Sequence, residues 1–406
     1  MTVVVVGAGP AGLNAARAAA GLGREVVLVD AAPSVGGQYW RQRFSSPRTL
    51  PGVTHLASTV VWAVEGRRVH LLTGPADGPG RSARTIEASA LVIATGAYDR
   101  VVPFPGWDSA EVFTAGAAQA LAKGQGVAVG QRVLVGGTGP FLLAVARSLL
   151  GVGASVVGIA EANRPLRWDL RTGWGKVPEL LGYAPMLARV PLWTRTAVVG
   201  VSGGVATVAR LDGAWNVVGT RSVEVDAVCV GYGFLPQLDV ALAAGCEVVD
   251  GFVGVDSSQR TSVAGVFACG EVTGVGGADL AAVEGWVAGV AAGGGVVSRA
   301  LLRRVRAGRR FAAALARAFP VREGWRGWGS ESTLVCRCEG VSVGEVLGAV
   351  REGAVGARSL KLVSRVGLGR CQGRMCLSNV ASLTGVEFDG RRPVVVPVRL
   401  GEIADG

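Results

Sequence analysis

Histidine is nearly absent from this sequence: His55 and His70 are the only two in 406 residues. Both fall in a stretch that alternates like a β-hairpin, so each is read as a surface or satisfied interior group rather than a catalytic one. Long apolar runs are missing as well. Long uncharged stretches include Met1–Ala16, with sixteen residues, and Thr196–Ala209 and Gly285–Ser298, with fourteen each. All contain glycine and fall short of the ~18 to 20 apolar residues that span a bilayer, which excludes a transmembrane helix. The 63 glycines keep no three-residue period, so a collagen-like fibre is excluded. Hydrophobic residues make up 50% and charged residues only 17%, which excludes general disorder. The apolar start has no basic n-region and breaks into a glycine loop instead of a cleavage site, so a cytoplasmic location is expected.

Lysine is also scarce, three against 38 arginines, and the formal net charge is +11. A nucleic-acid partner is set aside, because the arginines are spread along the chain with no binding motif. The one dense run, Arg299 to Arg326, holds nine arginines and the single acid Glu323, with thin aromatic interleaving. It reads as the solvated face of a linker helix.

What is present begins at the first strand. Val3 to Val6 are β-branched and apolar, Gly7-Ala-Gly9-Pro-Ala-Gly12 follows, Ala11 to Leu22 is an alanine-rich helix, and Glu25 to Val29 is the next strand, closed by Asp30. Gly7 suits a tight turn, Gly9 lets the backbone approach a pyrophosphate, and Gly12 lets the helix pack on the strand. The helix N-terminus turns free N–H groups and a positive dipole end toward phosphates. Asp30 stands where an acid would take ribose hydroxyls. Val53 to Thr73 reads as a hairpin turning at Glu65-Gly66, and Ala90 to Thr95 as a further buried strand.

A second strand, glycine loop, helix, strand unit starts at Arg132. Its loop, Gly137-Thr-Gly139-Pro-Phe-Leu142, has leucine in place of the third glycine, which would push the helix away. Glu161 follows its second strand and disfavours a 2′-phosphate by repulsion. A second nucleotide, NAD or ATP-like, is therefore an open expectation at Gly137, Gly139 and Glu161, beside the reading of a scaffold that binds nothing redox-active. Residues 196 to 231 look like a β-meander. Two βαβ units in one chain predict an α/β protein with two Rossmann-like domains.

Seven cysteines include two close pairs, Cys336-Arg-Cys338 and Cys371-Gln-Gly-Arg-Met-Cys376, separated by thirty-two residues. Four cysteines so grouped read as one metal site. Zinc prefers CxxC-like spacing, so CxC followed by CxxxxC speaks against a ribbon or finger. Cys229, Cys246 and Cys269 stand alone and read as small buried hydrophobes.

The chain resembles the pyridine nucleotide-disulfide oxidoreductase superfamily, with its glutathione-reductase-like pair of nucleotide-binding domains. Ala94-Thr95-Gly96 is similar to the segment that crosses back to the first domain. Phe267-Ala-Cys-Gly270-Glu271 is similar to the late segment at the flavin ribityl chain, with glutamate where aspartate is usual. Gly36-Gly37-Gln38 resembles the loop beside the isoalloxazine ring. The resemblance implies that FAD is lined by Gly7, Gly9, Gly12, Asp30, Gly36, Gly37, Gln38, Thr95, Gly96, Gly270 and Glu271. No CxxC or CxxxxC precedes residue 371, so the superfamily's disulfide chemistry is absent. The segment holding Cys336, Cys338, Cys371 and Cys376 resembles the bacterioferritin-associated-ferredoxin-like [2Fe–2S] domain, which makes those four the implied iron ligands.

The order GAGPAG, GGQ, ATGAYDR, GGTGP, GYGFLP, CRCEG, GRCQGRMC is similar to the alpha-type (A) subunits of opine oxidases and of heteromeric proline or hydroxyproline dehydrogenases, and to a hydrogen cyanide synthase subunit. That family implies an electron-relay subunit beside a D-amino-acid-oxidase-type flavoprotein partner and, for any further cluster, a small [2Fe–2S] ferredoxin-like companion. The alternative is a stand-alone NAD(P)H-dependent flavin reductase feeding its cluster, for which an intact second glycine set is expected. The implied division places a discontinuous FAD domain at 1–100 and 246–297 and the second nucleotide-binding domain at 101–245. The arginine-rich linker is then 298–330, the [2Fe–2S] domain 331–385 and an extended tail 386–406.

Overall fold

Runs of valine and alanine four or five residues long, closed by glycine turns, are the pattern of strands buried on both faces. In the computed structural model, which describes residues 2–40, 50–76, 78–164, 181–388 and 394–404, they form two parallel sheets. The chain folds as two compact units, one of residues 1–98, 235–313 and 390–406, the other of 99–234 and 314–389.

In the first unit the sheet order is Val266–Ala268, Ala90–Ile93, Thr2–Val6, Glu25–Val29, Val53–Leu56, every neighbour parallel. The helix Pro10–Ala20 returns from the first strand and packs on the helix Ala278–Ala292. Gly285 and Gly289 make that approach possible, since a Cβ on either would overlap the backbone of Ala11 or Ala15. A three-stranded antiparallel sheet, Thr59–Glu65, Arg68–Thr73 and Ser82–Glu87, shares a core with one face of the parallel sheet, Val61, Val69 and Leu71 packing in the cluster of Val4, Val27 and Leu91. The expected hairpin is therefore shorter than Val53 to Thr73. His55 lies outside it, on the parallel edge strand, while His70 lies inside it and stacks near Trp62, with ring centroids 5.3 Å apart. Alternation alone could not separate them, because parallel edge strands and hairpin strands share the same period of two.

The second unit repeats the plan, in the order Leu192–Thr194, Ser155–Glu161, Arg132–Gly137, Ala227–Gly231, Val112–Thr114, all parallel. The expected meander is three antiparallel strands, Thr196–Ser202, Val205–Leu211 and Val217–Glu224, before the chain re-enters the parallel sheet. An aromatic core joins this layer to the later chain: Trp215 and Trp328 stack at 5.7 Å, and Trp328 Nε1 donates to the Trp215 carbonyl at 3.0 Å.

The cysteine segment belongs to this same unit. Its helices Val343–Arg351, Ala357–Ser364 and Leu377–Thr384 enclose a small core of Val335, Val346, Leu360, Val366 and Val380. A capping box between Ser342 and Glu345 starts the first of them, a device worth about 1 kcal/mol. Trp107 Nε1 donates to the Leu334 carbonyl at 2.6 Å, and Asn379 Nδ2 donates to that of Val101 at 3.0 Å. Both bonds fasten the segment to the unit's sheet layer.

The arginine-rich run is the helix Arg299–Ala318, in which only Val305 is buried. Of the tail, Val386 packs into the core of the cysteine segment, Val395 N–H bonds to the Trp62 carbonyl at 2.8 Å beside a bend, and the helix Leu400–Ala404 follows. Residues 389–393 of that tail lie outside the described residues. Among the described residues no helix is long and apolar enough to cross a membrane.

Candidate functional site

The first glycine loop is a tight assembly of backbone. Gly7 has φ +103°, and a Cβ on Gly12 would overlap the Gly7 carbonyl, so both must be glycine for the helix to sit on the strand. Gly9 differs. It caps the helix Pro10–Ala20 with no side-chain hydrogen bond, and nothing stands within 4 Å of where its Cβ would be. An uncapped helix N-terminus facing open space is what a pyrophosphate needs. Asp30 ties the loop down: its carboxylate accepts from the Ala8 N–H and, at 2.7 Å, from the Ala32 N–H. Each oxygen keeps a lone pair, and the side chain is half-buried, so the acid can still meet a ribose.

The other segments expected at a flavin converge here. Gly36 N–H donates to the Ala8 carbonyl at 2.8 Å, and Gly37 abuts the Gly9 backbone, while Gln38 is exposed. Ala94 lies against Gly7, and Thr95 Oγ1 donates to the Gln237 carbonyl at 2.7 Å. Gly96 returns a bond, its carbonyl accepting from the Gln237 N–H at 2.9 Å. Gly270, at φ +78°, sits against Ala11 of the loop helix. Burial pushes the Glu271 carboxyl above its ordinary value, partly offset by a bond from the Gly277 backbone. Gly7, Gly12, Asp30, Gly36, Gly37 and Gly270 thus gather around one helix N-terminus, and the open donor-rich cradle at Gly9 fits a dinucleotide.

A group missed from the sequence supports this loop. Glu284 is 2% exposed and pairs with Arg309 of the arginine-rich helix, Nε to Oε1 2.8 Å. Its Oε2 accepts from the Gly270 N–H at 3.1 Å and from Thr273 Oγ1 at 3.2 Å. Gln259, fully buried, accepts from Arg309 Nη2 at 3.2 Å and donates to the Ala268 carbonyl at 2.9 Å when its amide is oriented to satisfy both. The one sequence signal was an acid inside an otherwise apolar helix.

The second loop closes on itself. Glu161 is 4% exposed. Its Oε1 accepts from Thr138 Oγ1 at 2.7 Å and from the Asn163 N–H at 2.8 Å, and its Oε2 accepts from the Gly139 N–H at 2.7 Å. Burial pushes this carboxyl up to about 7, against the lowering effect of those three bonds. Gly137 abuts the Gly231 carbonyl, and the space beyond Gly139 is open. Leu142 is 1% exposed, packed with Val135, Val145 and Ala115. The helix starts at Phe141, whereas the first loop's helix starts at its proline, Pro10. Residues 165–180, which follow this unit, lie outside the described residues.

The four late cysteines come together. Cys336 and Cys376 are buried, Cys371 is half-buried and Cys338 is exposed. The Cys376 thiol beside it, with N–H groups of Gly367, Glu339 and Cys338, holds Cys336 down to about 6 despite burial. Cys376 is pushed up by Cys336, by burial, and by Cys371 and Cys338. Cys338 is raised by burial and by Cys371. Among the described residues no three metal-ligating side chains close on a point suited to a single ion. The thiols instead lie as two couples, Cys336 beside Cys376 and Cys338 beside Cys371. Four neighbouring sulfurs, with N–H donors aimed at Cys336, are a donor set that fits an iron–sulfur cluster. Cys229, Cys246 and Cys269 are buried elsewhere, each thiol raised by desolvation, as isolated hydrophobes are.

Comparison with known proteins agrees with this geometry. The pyridine nucleotide-disulphide oxidoreductase family model matches residues 1–293, and the BFD-like [2Fe-2S] binding domain model matches 334–383. L-proline dehydrogenase from P. horikoshii superposes with a TM-score of 0.68 at 18% identity, covering 100% of this chain and 80% of that one, which shows a shared fold. The chain is an FAD-dependent oxidoreductase of the pyridine nucleotide-disulphide oxidoreductase family, and it belongs to the group within that family that includes the A subunits of opine oxidases. The opine oxidase A subunit of Rhizobium meliloti strain 1021 is 32% identical over 99% of this chain and 98% of its own. Hydrogen cyanide synthase subunit HcnB of Pseudomonas aeruginosa is 29% identical over 92% of this chain and 90% of its own.

Proposed function

We propose that this chain is the electron-transfer subunit of a multi-subunit amine dehydrogenase or oxidase, acting on an amino acid or opine through a partner. The names of its relatives, subunits of opine oxidase and hydrogen cyanide synthase, support a heteromeric enzyme. The partner is a D-amino-acid-oxidase-type flavoprotein subunit, and a small [2Fe–2S] ferredoxin-like subunit completes the chain of carriers. The functional division that goes with this reading runs from FAD domain through second nucleotide-binding domain, arginine-rich linker and [2Fe–2S] domain to tail.

In this reading Gly9 leaves room for the FAD pyrophosphate, the N-terminus of helix Pro10–Ala20 offers it donors, and Asp30 orients the ribose. Gly36, Gly37, Gln38, Thr95, Gly96, Gly270 and Glu271 line the remainder. Cys336, Cys338, Cys371 and Cys376 hold the [2Fe–2S] cluster. The flavin accepts electrons in pairs and the cluster passes them singly, which is the chemistry the two groups supply when bound. Arg337, Arg370 and Arg374 offset the thiolate charge and favour the reduced form.

The observation that carries this reading over a stand-alone NAD(P)H-dependent reductase is the state of Glu161. A carboxylate buried beneath its own loop and accepting three bonds does not reach a ribose. The test is anaerobic titration of the isolated chain with NADH, followed by reconstitution with an amine substrate and the oxidase-like partner. The flavin stays oxidised with NADH and the chain alone turns over no amino acid, while the reconstituted complex does. Stoichiometric bleaching by NADH, or amino-acid turnover by this chain alone, refutes the assignment.

A further inference from the structure

We propose that the exposed side of the cysteine domain is the docking surface for an acidic one-electron carrier protein. The proposal rests on the reading of the four cysteines as a [2Fe–2S] site.

Cys338 is the exposed member of the four, so electrons leaving toward another protein leave past it. The helix Ala357–Ser364 carries Arg358 and Leu362, spaced i and i+4 and exposed on one stripe, and the exposed Arg365 follows as its left-handed cap at φ +63°. The stripe is fastened to the Cys338 loop, because the Arg365 guanidinium donates to Glu339 Oε2 at 2.8 and 3.1 Å. Gly369 abuts the Cys338 Cβ, which brings Leu368 and Arg370 to the same rim. Leu362 is 68% exposed, Val363 58% and Leu368 45%, a run of apolar side chains that this chain leaves uncovered.

Charge selects the occupant. Residues 355–376 contain five cations (Arg358, Lys361, Arg365, Arg370, Arg374) and no acid, and with Glu339, which pairs with Arg365, the rim keeps an excess of four positive charges. An acidic face is drawn to such a rim and meets exposed leucines at its centre, the arrangement of a transient electron-transfer contact. The step moves one electron from the reduced cluster to the oxidised carrier. The cluster returns to its oxidised form, and no atom is transferred.

The test uses the full chain with its iron–sulfur centre, reduced by one equivalent of dithionite and mixed with an oxidised acidic b-type cytochrome, whose haem accepts an electron from the cluster downhill, or, as control, with basic cytochrome c. Transfer to the acidic cytochrome is expected to fall about tenfold or more from low to high salt, as a steered encounter does, while transfer to cytochrome c does not fall. Arg358→Glu and Leu362→Glu, which change no cysteine, are expected to slow transfer to the acidic cytochrome about tenfold with the visible and EPR spectra of the cluster unchanged. Salt-independent transfer, or variants that match the parent, overturns the proposal. Capture of the chain by anionic phosphatidylserine vesicles, lost in Leu362→Glu, assigns the face to a membrane and overturns it too. A chain lacking iron and sulfide fails at the cluster reading itself, whereas an intact cluster with salt-independent transfer fails at docking alone.

Discussion

Arg309 Nε donates to Glu284 Oε1 across 2.8 Å, and through Glu284, which accepts from the Gly270 N–H, the arginine-rich helix braces the loop that carries Gly270 and Glu271. Arg309 is 39% exposed and Glu284 is 2% exposed, so the carboxylate has given up nearly all its water and depends on the guanidinium. A helix that reads as a solvated linker is at this residue a brace beneath the flavin loop.

Removing the brace strands a buried charge. Arg309→Met is expected to cost about 3 kcal/mol, the scale for breaking a buried pair from one side. Glu284→Gln, which keeps an acceptor for Gly270 and Thr273, costs less. Urea unfolding measures both, and flavin content after dialysis should fall in the arginine variant first. Equal stability of Arg309→Met and the parent would show that the pair contributes nothing.

Glu161 makes the second unit sensitive to pH. Its carboxyl titrates near 7 in the folded chain against 4.5 for a free glutamate, so between those values the folded state binds the extra proton. The stabilisation is complete below about 4.5 and is lost as pH rises through about 7. The melting temperature should therefore decline between pH 5 and about 8, and Glu161→Gln should flatten that slope. A parent protein whose slope survives the substitution places the titration elsewhere.

Gly9 and Gly12 separate folding from flavin binding. Gly9 has φ −76° and open space beyond it, so Gly9→Val should fold with stability within about 1 kcal/mol of the parent and yet carry no FAD. Gly12→Ala should instead unfold the first unit, because its Cβ meets the Gly7 carbonyl. Asp30→Ala should weaken flavin binding without abolishing it. Full flavin in Gly9→Val would be fatal to the site.

Serine at Cys336, Cys338, Cys371 or Cys376 should eliminate or destabilise the iron–sulfur signal, while serine at Cys229, Cys246 or Cys269 leaves it intact. Iron, acid-labile sulfide and EPR of the reduced protein are the readouts. Stoichiometric zinc without iron or sulfide would contradict the ligand set. Cys371→Ser in the reconstituted complex should block transfer to a one-electron acceptor while the partner's flavin is still reduced.

Much of the architecture was legible because its signals are local. A β-branched run, a glycine turn and an alanine-rich helix are encoded within about thirty residues, which is why both βαβ units appear in the sequence nearly where they stand in the fold. The cysteine spacings are local in the same way, and so is the capping box of Ser342 and Glu345. Where the pattern is shared by two structures the reading failed, as with His55, whose strand alternates like a hairpin strand but pairs parallel with Glu25–Val29.

Asp30 and Glu161 mark where sequence stops and tertiary structure decides. Each is the acid closing the second strand of a βαβ unit, and by spacing either one suits a ribose. The sequence determined that both exist and that each belongs to a glycine loop. Only the folded chain decided that Asp30 stays half-exposed while Glu161 is sealed beneath its loop by Thr138 and Asn163. Burial depends on what the rest of the chain lays over a side chain, and Asn163 is itself held by the carbonyl of Pro320, 157 residues away. The same holds for Trp107, which holds the carbonyl of Leu334, and for Arg309, which finds Glu284. Partners brought together by folding leave no period or spacing in the sequence from which to read them.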